Sequence, residues 1–137
     1  MRKLLVVTAL VLFAGVAFGQ TLNKGGAIGI HEWTLKLNPD VTMNQFLEIW
    51  ENTAVPIMKK AIPEQTPFLL KGIGANNKFE YIGLYYYNSI EDFRKYWNED
   101  GPTEKGVAAM ESYGPLMEEM SKLGEFTYTA KDWIIIK

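Results

Sequence analysis

Between Lys78 and Tyr87 the chain carries apolar or aromatic side chains on both sides of a strand, which limits the folds open to it. Successive side chains of a strand point to opposite faces. One parity holds Ile82, Leu84 and Tyr86; the other holds Phe79, Tyr81, Tyr85 and Tyr87, with Gly83 between. Ala27–Leu37 repeats the pattern, with Ile28 and Ile30 on one side and Trp33, Leu35 and Leu37 on the other. At the C-terminus Trp133 and Ile135 alternate with Ile134 and Ile136. Helices can cover only one face of an open sheet. The other would expose an apolar patch of a size that soluble monomers seldom leave bare. A second copy packed sheet against sheet about a two-fold axis is the economical cover. The alternative is a monomer whose extra helix covers the second face.

The other elements follow from periodicity and punctuation. Asn38-Pro39-Asp40 ends the first strand, and Asp40 or Thr42 caps a helix. Its apolar stripe runs through Met43, Phe46, Leu47, Trp50, Ala54, Ile57, Met58 and Ala61, with a kink or break expected near Thr53 because Pro56 removes a backbone bond. Pro63 and Pro67 bracket a loop; Phe68–Ile73 reads as the second strand, Gly74–Asn77 as a turn and Lys78–Tyr87 as the third strand. Ser89 caps a helix that carries Phe93, Tyr96 and Trp97 on one face up to Asp100-Gly101-Pro102. Thr103 opens another helix, broken at Gly114-Pro115 and ended by Gly124, before a last strand over Glu125–Ile136. The order is β-α-β-β-α-β. The fold class is therefore α+β: a ferredoxin-like four-stranded antiparallel sheet with helices on one face, closed by a sheet-to-sheet homodimer.

Residues 1–19 have the form of a removable export signal. Arg2 and Lys3 precede an apolar run from Leu4 to Val16, and Ala17-Phe18-Gly19 supplies small residues for cleavage. Residues 20–26 are expected to be a flexible lead-in and 27–137 one domain, so the mature protein is periplasmic or secreted with no further membrane association. Of 14 basic residues the signal removes two, which takes the formal charge from −2 to −4. Mild acidity without a basic cluster argues against nucleic acid as a partner.

Two segments carry a family resemblance. Gly29-Ile30-His31-Glu32-Trp33-Thr34-Leu35-Lys36, followed by a helix ending near a proline, resembles the opening of the dimeric α+β barrel superfamily. Tyr85-Tyr86-Tyr87-Asn88-Ser89-Ile90-Glu91-Asp92-Phe93 resembles its strand-to-helix junction. The NIPSNAP-like and antibiotic-biosynthesis-monooxygenase-like groups are the nearest in flavour. The resemblance implies a fold more than a function, because the superfamily includes cofactor-free monooxygenases, haem enzymes, decyclases and proteins without known activity.

The sequence offers no strong catalytic motif. There is no cysteine and only one histidine, so a zinc site is not expected and a Ser-His-Asp triad lacks its context. Gly72-Ile73-Gly74 lacks the third glycine of a dinucleotide fingerprint. Two features remain. His31 is a candidate general base, with haem ligation as a further role, and a hydrogen-bonded structural residue is the plain alternative. It shares parity with Trp33, so it lies away from the helices if Ile28 and Ile30 face them. Trp33, Tyr81, Tyr85, Tyr87 and Trp133 form a candidate ligand-binding set if their strands share a face, with Met110, Met117 and Met120 as an adaptable wall. Core and interface packing is the alternative. The expected function is thus an exported homodimer binding a small apolar or aromatic molecule, without a cofactor. A cofactor-independent monooxygenase or isomerase using His31, and a ligand-free structural oligomer, are the alternatives.

Overall fold

A computed structural model describes residues 22–73 and 80–137; the expected signal and the turn at Gly74–Asn77 lie outside the described residues. The four main strands are β1 (Ala27–Leu37), β2 (Gln65–Lys71), β3 (Tyr81–Tyr87) and β6 (Gly124–Ile134). They form one antiparallel sheet in the order β2-β3-β1-β6. The chain has the ferredoxin-like α+β fold.

The register fixes the faces. Gln65, Tyr87, Ala27 and Ile134 form one row across the sheet, and Pro67, Tyr85, Gly29 and Asp132 the next. Leu69, Gly83, His31 and Ala130 form the third row. These rows lie under the helices, because Ala27, Tyr85, Tyr87, Trp33 and Leu35 pack into the same core as the helical Phe46, Trp50 and Met58. Ile28 and Ile30 consequently stand on the open face. The helices therefore cover the side carrying His31 and Trp33, which corrects the sequence-based assignment of that histidine to the far side. Small residues at Ala27 and Gly29 leave room beneath helices that Ile28 and Ile30 would fill.

The first crossover shows how the sequence shapes the roof. Thr42 caps α1 (Met43–Ile49) through a capping box with Gln45, whose side chain bonds back to the Thr42 N–H at 2.7 Å. The buried residues then fall at strict intervals of four: Phe46, Trp50, Ala54, Met58 and Ile62. In an α-helix each step of four overshoots a turn by about 40°, so such a stripe would wind off the sheet. A π-helical turn over Trp50–Ala54 absorbs the drift before α2 (Val55–Ala61) resumes. The Val55 N–H bonds to Trp50 O, five residues back, and Pro56 sits in the first turn of α2. The expected kink is thus a change of helical pitch, and Pro56 is harmless where it falls.

Three further departures have local causes. β2 begins at Gln65, three residues before the expected start, with Pro67 inside it. β2 is an edge strand, where a missing N–H breaks no ladder. The helix capped by Ser89, α3 (Ile90–Arg94), stops early, and Trp97 turns into a two-stranded ribbon, β4 (Trp97–Asn98) with β5 (Gly101–Pro102). Gly101 supplies the positive φ of 118° that this turn requires. The second crossover ends with α4 (Glu104–Ser112) and α5 (Gly114–Leu123). Within the expected lead-in, the Gly25 N–H bonds to Ile135 O and the Ile135 N–H to Gly26 O.

Candidate functional site

A cavity of about 380 Å³ lies between the helix-side face of the sheet and the helices. Its floor comes from the alternating residues Gly29, His31 and Trp33 of β1 with Tyr85 and Tyr87 of β3. Trp50, Ala54 and Met58, brought into line by the π turn, form one side of the roof, and Leu116 and Met120 of α5 the other. The space runs across the sheet. At the β6 side it opens, where Tyr128 is 60 % exposed and Met117 59 %. At the β2 side it is lined by Gln65, Tyr87, Phe93 and Trp97.

Gly83 makes the floor possible. A Cβ built there would come within 3.0 Å of Tyr85 Oη and 3.1 Å of Trp33 Cζ2. The Tyr85 ring therefore lies along the sheet over the glycine instead of standing up from it. Trp33 meets Trp50 edge-on at 5.1 Å, which ties floor to roof.

His31 stacks on Tyr128, with ring centroids 4.8 Å apart and planes within 4°, and tilts against Tyr85 at 4.5 Å. Burial disfavours its charged form and lowers its pKa from the ordinary histidine value, so the imidazole is neutral at pH 7. Asp132 also lines the cavity, and burial raises its pKa. Burial pushes the Tyr85 phenol well above its usual range and raises Tyr87 and Tyr113 in the same direction. Burial thus shifts His31, Asp132, Tyr85, Tyr87 and Tyr113 toward their neutral forms. Among the described residues no Lys or Arg lines the space.

Of the residues singled out in the sequence, His31, Trp33, Tyr85 and Tyr87 meet at this cavity. Tyr81 shares their face but lies beyond the wall, with the Lys71 ammonium 5.7 Å from its ring centroid. Trp133 is paired with Ile28 and stands on the opposite face, 57 % exposed. The candidate set does not share one site: Trp133 belongs to the open face because β6 pairs with β1 in the register that puts Asp132 beside Gly29. Met110, Met117 and Met120 line the cavity, although Met110 is on α4 and the other two on α5.

Sequence reasoning missed Gln65, Trp97, Tyr113 and Asp132. Gln65 fell in a presumed loop because of Pro67, and Trp97 on a helix that ends before it. Asp132 was open to discovery by parity, since it alternates with Trp133 and Lys131 along the last strand.

No family model matches the chain, and no curated protein sequence matches it. Several solved structures do. The chain is similar to an ethd family protein from Bacillus halodurans, with 22 % identity over 77 % of this chain and 96 % of that one, at a TM-score of 0.44. It is similar to an ethd-like protein from Ralstonia eutropha, with 11 % identity over 83 % and 95 % of the two chains and a TM-score of 0.48. A dimeric protein of ferredoxin-like fold from Bacteroides fragilis is 14 % identical over 82 % of this chain and 98 % of its own, with a TM-score of 0.42.

Proposed function

We propose that the chain is an exported homodimer whose protomers each hold one small, largely apolar or aromatic molecule between sheet and helices. The observation that carries this reading is the cavity itself: about 380 Å³ walled by Trp, Tyr, Phe and Met side chains, in the size range of small-molecule sites. Export rests on the form of residues 1–19. The dimer rests on the open face, where Phe68, Leu84 and Ile30 form an apolar row and Phe68, Leu70 and Trp133 are 37 %, 41 % and 57 % exposed. A second copy buries this row, and the charged pair beside it, Lys131 with Glu32 at 3.1 Å, is already formed.

The reading requires no cofactor. A haem on His31 would bring two propionates into a cavity that no Lys or Arg lines among the described residues, and the imidazole is already stacked flat on Tyr128. The residues do not fit that group.

A native mass spectrum of the protein secreted by its own signal tests the proposal. It should show twice the processed mass with a reproducible adduct of a few hundred daltons per protomer. A bare dimer would favour a ligand-free structural oligomer, and a bare monomer would remove the dimer as well.

A second reading makes the same cavity catalytic. It is favoured by the placement of a neutral imidazole on the wall near the opening, where it can take a proton from an acidic carbon. Turnover of the co-purified molecule should then vanish in His31→Ala with the fold retained. Unchanged turnover would end that reading.

A further inference from the structure

Gln65 is 7 % exposed and lines the β2 side of the cavity. Its Nε2 donates to Tyr87 Oη at 2.6 Å, and Trp97 Nε1 donates to the same oxygen at 3.0 Å. Both lone pairs of the phenol are then taken, so the Tyr87 proton has to be donated elsewhere. Gln65 Oε1 is buried with no hydrogen-bond partner among the described residues. The Tyr87 proton, the second N–H of Nε2 and the acceptor Oε1 are therefore all unmet, beside a largely apolar space. Turning the amide over leaves donors alone unmet, so an accepting group is called for in either arrangement and a donating one only in the first. Tyr87 would then donate to Oε1, and the two N–H groups of Nε2 would be the ones without a partner. Polar groups buried this deeply are rarely left unpaired in native structures.

Among the described residues the same cavity has no cation to receive an anion. His31 is held neutral by burial, and Asp132 would repel a carboxylate. A buried anionic head group would lie opposite no compensating charge. We infer that the Gln65–Tyr87–Trp97 end reads a neutral group that accepts hydrogen bonds and is able to donate one, a hydroxyl or an amide, on a ligand whose remaining body is apolar or aromatic. This rests on the cavity being a ligand site.

The test compares three probes of one shape on the full exported chain: 2-naphthol, naphthalene and 2-naphthoate. Trp33, Trp50 and Trp97 line the space, so binding is followed by intrinsic fluorescence. Naphthol should bind about tenfold or more tightly than naphthalene, with naphthoate the weakest. In Gln65→Met the naphthol advantage should shrink to about twofold or less, while naphthalene binds as before. Tyr87→Phe, which keeps the ring and removes the hydroxyl, should give the same loss and serves if Gln65→Met fails to fold. Equal affinity for naphthol and naphthalene, a preference for naphthoate, or an unchanged ratio in the variants would overturn the polar reader and leave the cavity as a site. Failure of all three probes to bind would overturn the cavity reading with it.

Discussion

Single residues set the character of the cavity through their size and charge state. Gly83 is the clearest case, since its missing side chain is what lets Tyr85 lie down beside Trp33. Gly83→Val should cost about 1–3 kcal/mol of stability by forcing that ring from its place, read from denaturant unfolding, and should weaken probe binding in the same variant. Unchanged stability would mean that the floor relaxes more freely than these contacts allow. His31 is the only histidine, so its ring protons titrate without overlap in an NMR spectrum. Its midpoint should fall below 6.5, because burial opposes the charged form. The unfolded chain takes up that proton first, so the histidine's effect is to lower stability as pH drops below about 6.5, with no further loss once the folded form is also protonated. Neither residue's role was fully legible in the sequence. Gly83 was visible only as a gap among aromatic residues, and the face of His31 depended on which parity the helices chose.

At the level of elements, a polar cluster fastens the α3–β4 segment to the chain just before β2. Lys95 Nζ lies 3.0 Å from Glu64 and 2.7 Å from Asp92, and Tyr96 Oη donates to Glu64 at 2.7 Å. The Tyr96 hydroxyl and the Lys95 ammonium hold the Glu64 pKa down to about 2. Its stabilising contribution is complete above the ordinary glutamate range and fades as pH falls from about 4.5 toward 2. Glu64→Gln should therefore lower Tm modestly at pH 6 and leave it close to the parent at pH 2. An equal deficit at both pH values would show that the carboxylate's charge is not what matters. None of this was readable beforehand, because Glu64 and Lys95 are 31 positions apart. The strand parities and the caps at Thr42, Ser89 and Thr103 were readable, since each depends on neighbours within a few residues. The π turn sits between these cases. Its sign was the run of buried residues at intervals of four, but Pro56 drew attention to a break instead.

For the molecule as a whole, the two faces of the sheet divide the work. One face with its helices makes the cavity, and the other carries the apolar row proposed to meet a second copy. Leu84→Asp places a charge at the centre of that row, opposite Ile30 and Phe68. Sedimentation should show the variant as a monomer at concentrations where the parent is a dimer, with the cavity's probe binding largely retained. An unaltered dimer would place the interface elsewhere. The architecture has one more consequence. The Gln65–Tyr87 row and the His31 row are separated by the four residue steps from Ala27 to His31, roughly 13 Å of strand. In the proposed site, a molecule moored by its hydroxyl at Gln65 and Tyr87 presents to the imidazole whichever atom its own length allows. On the proposed catalytic reading the protein works as a ruler: homologous compounds that differ by a methylene or a ring offer different carbons to the same base, and the position of reaction follows from molecular length.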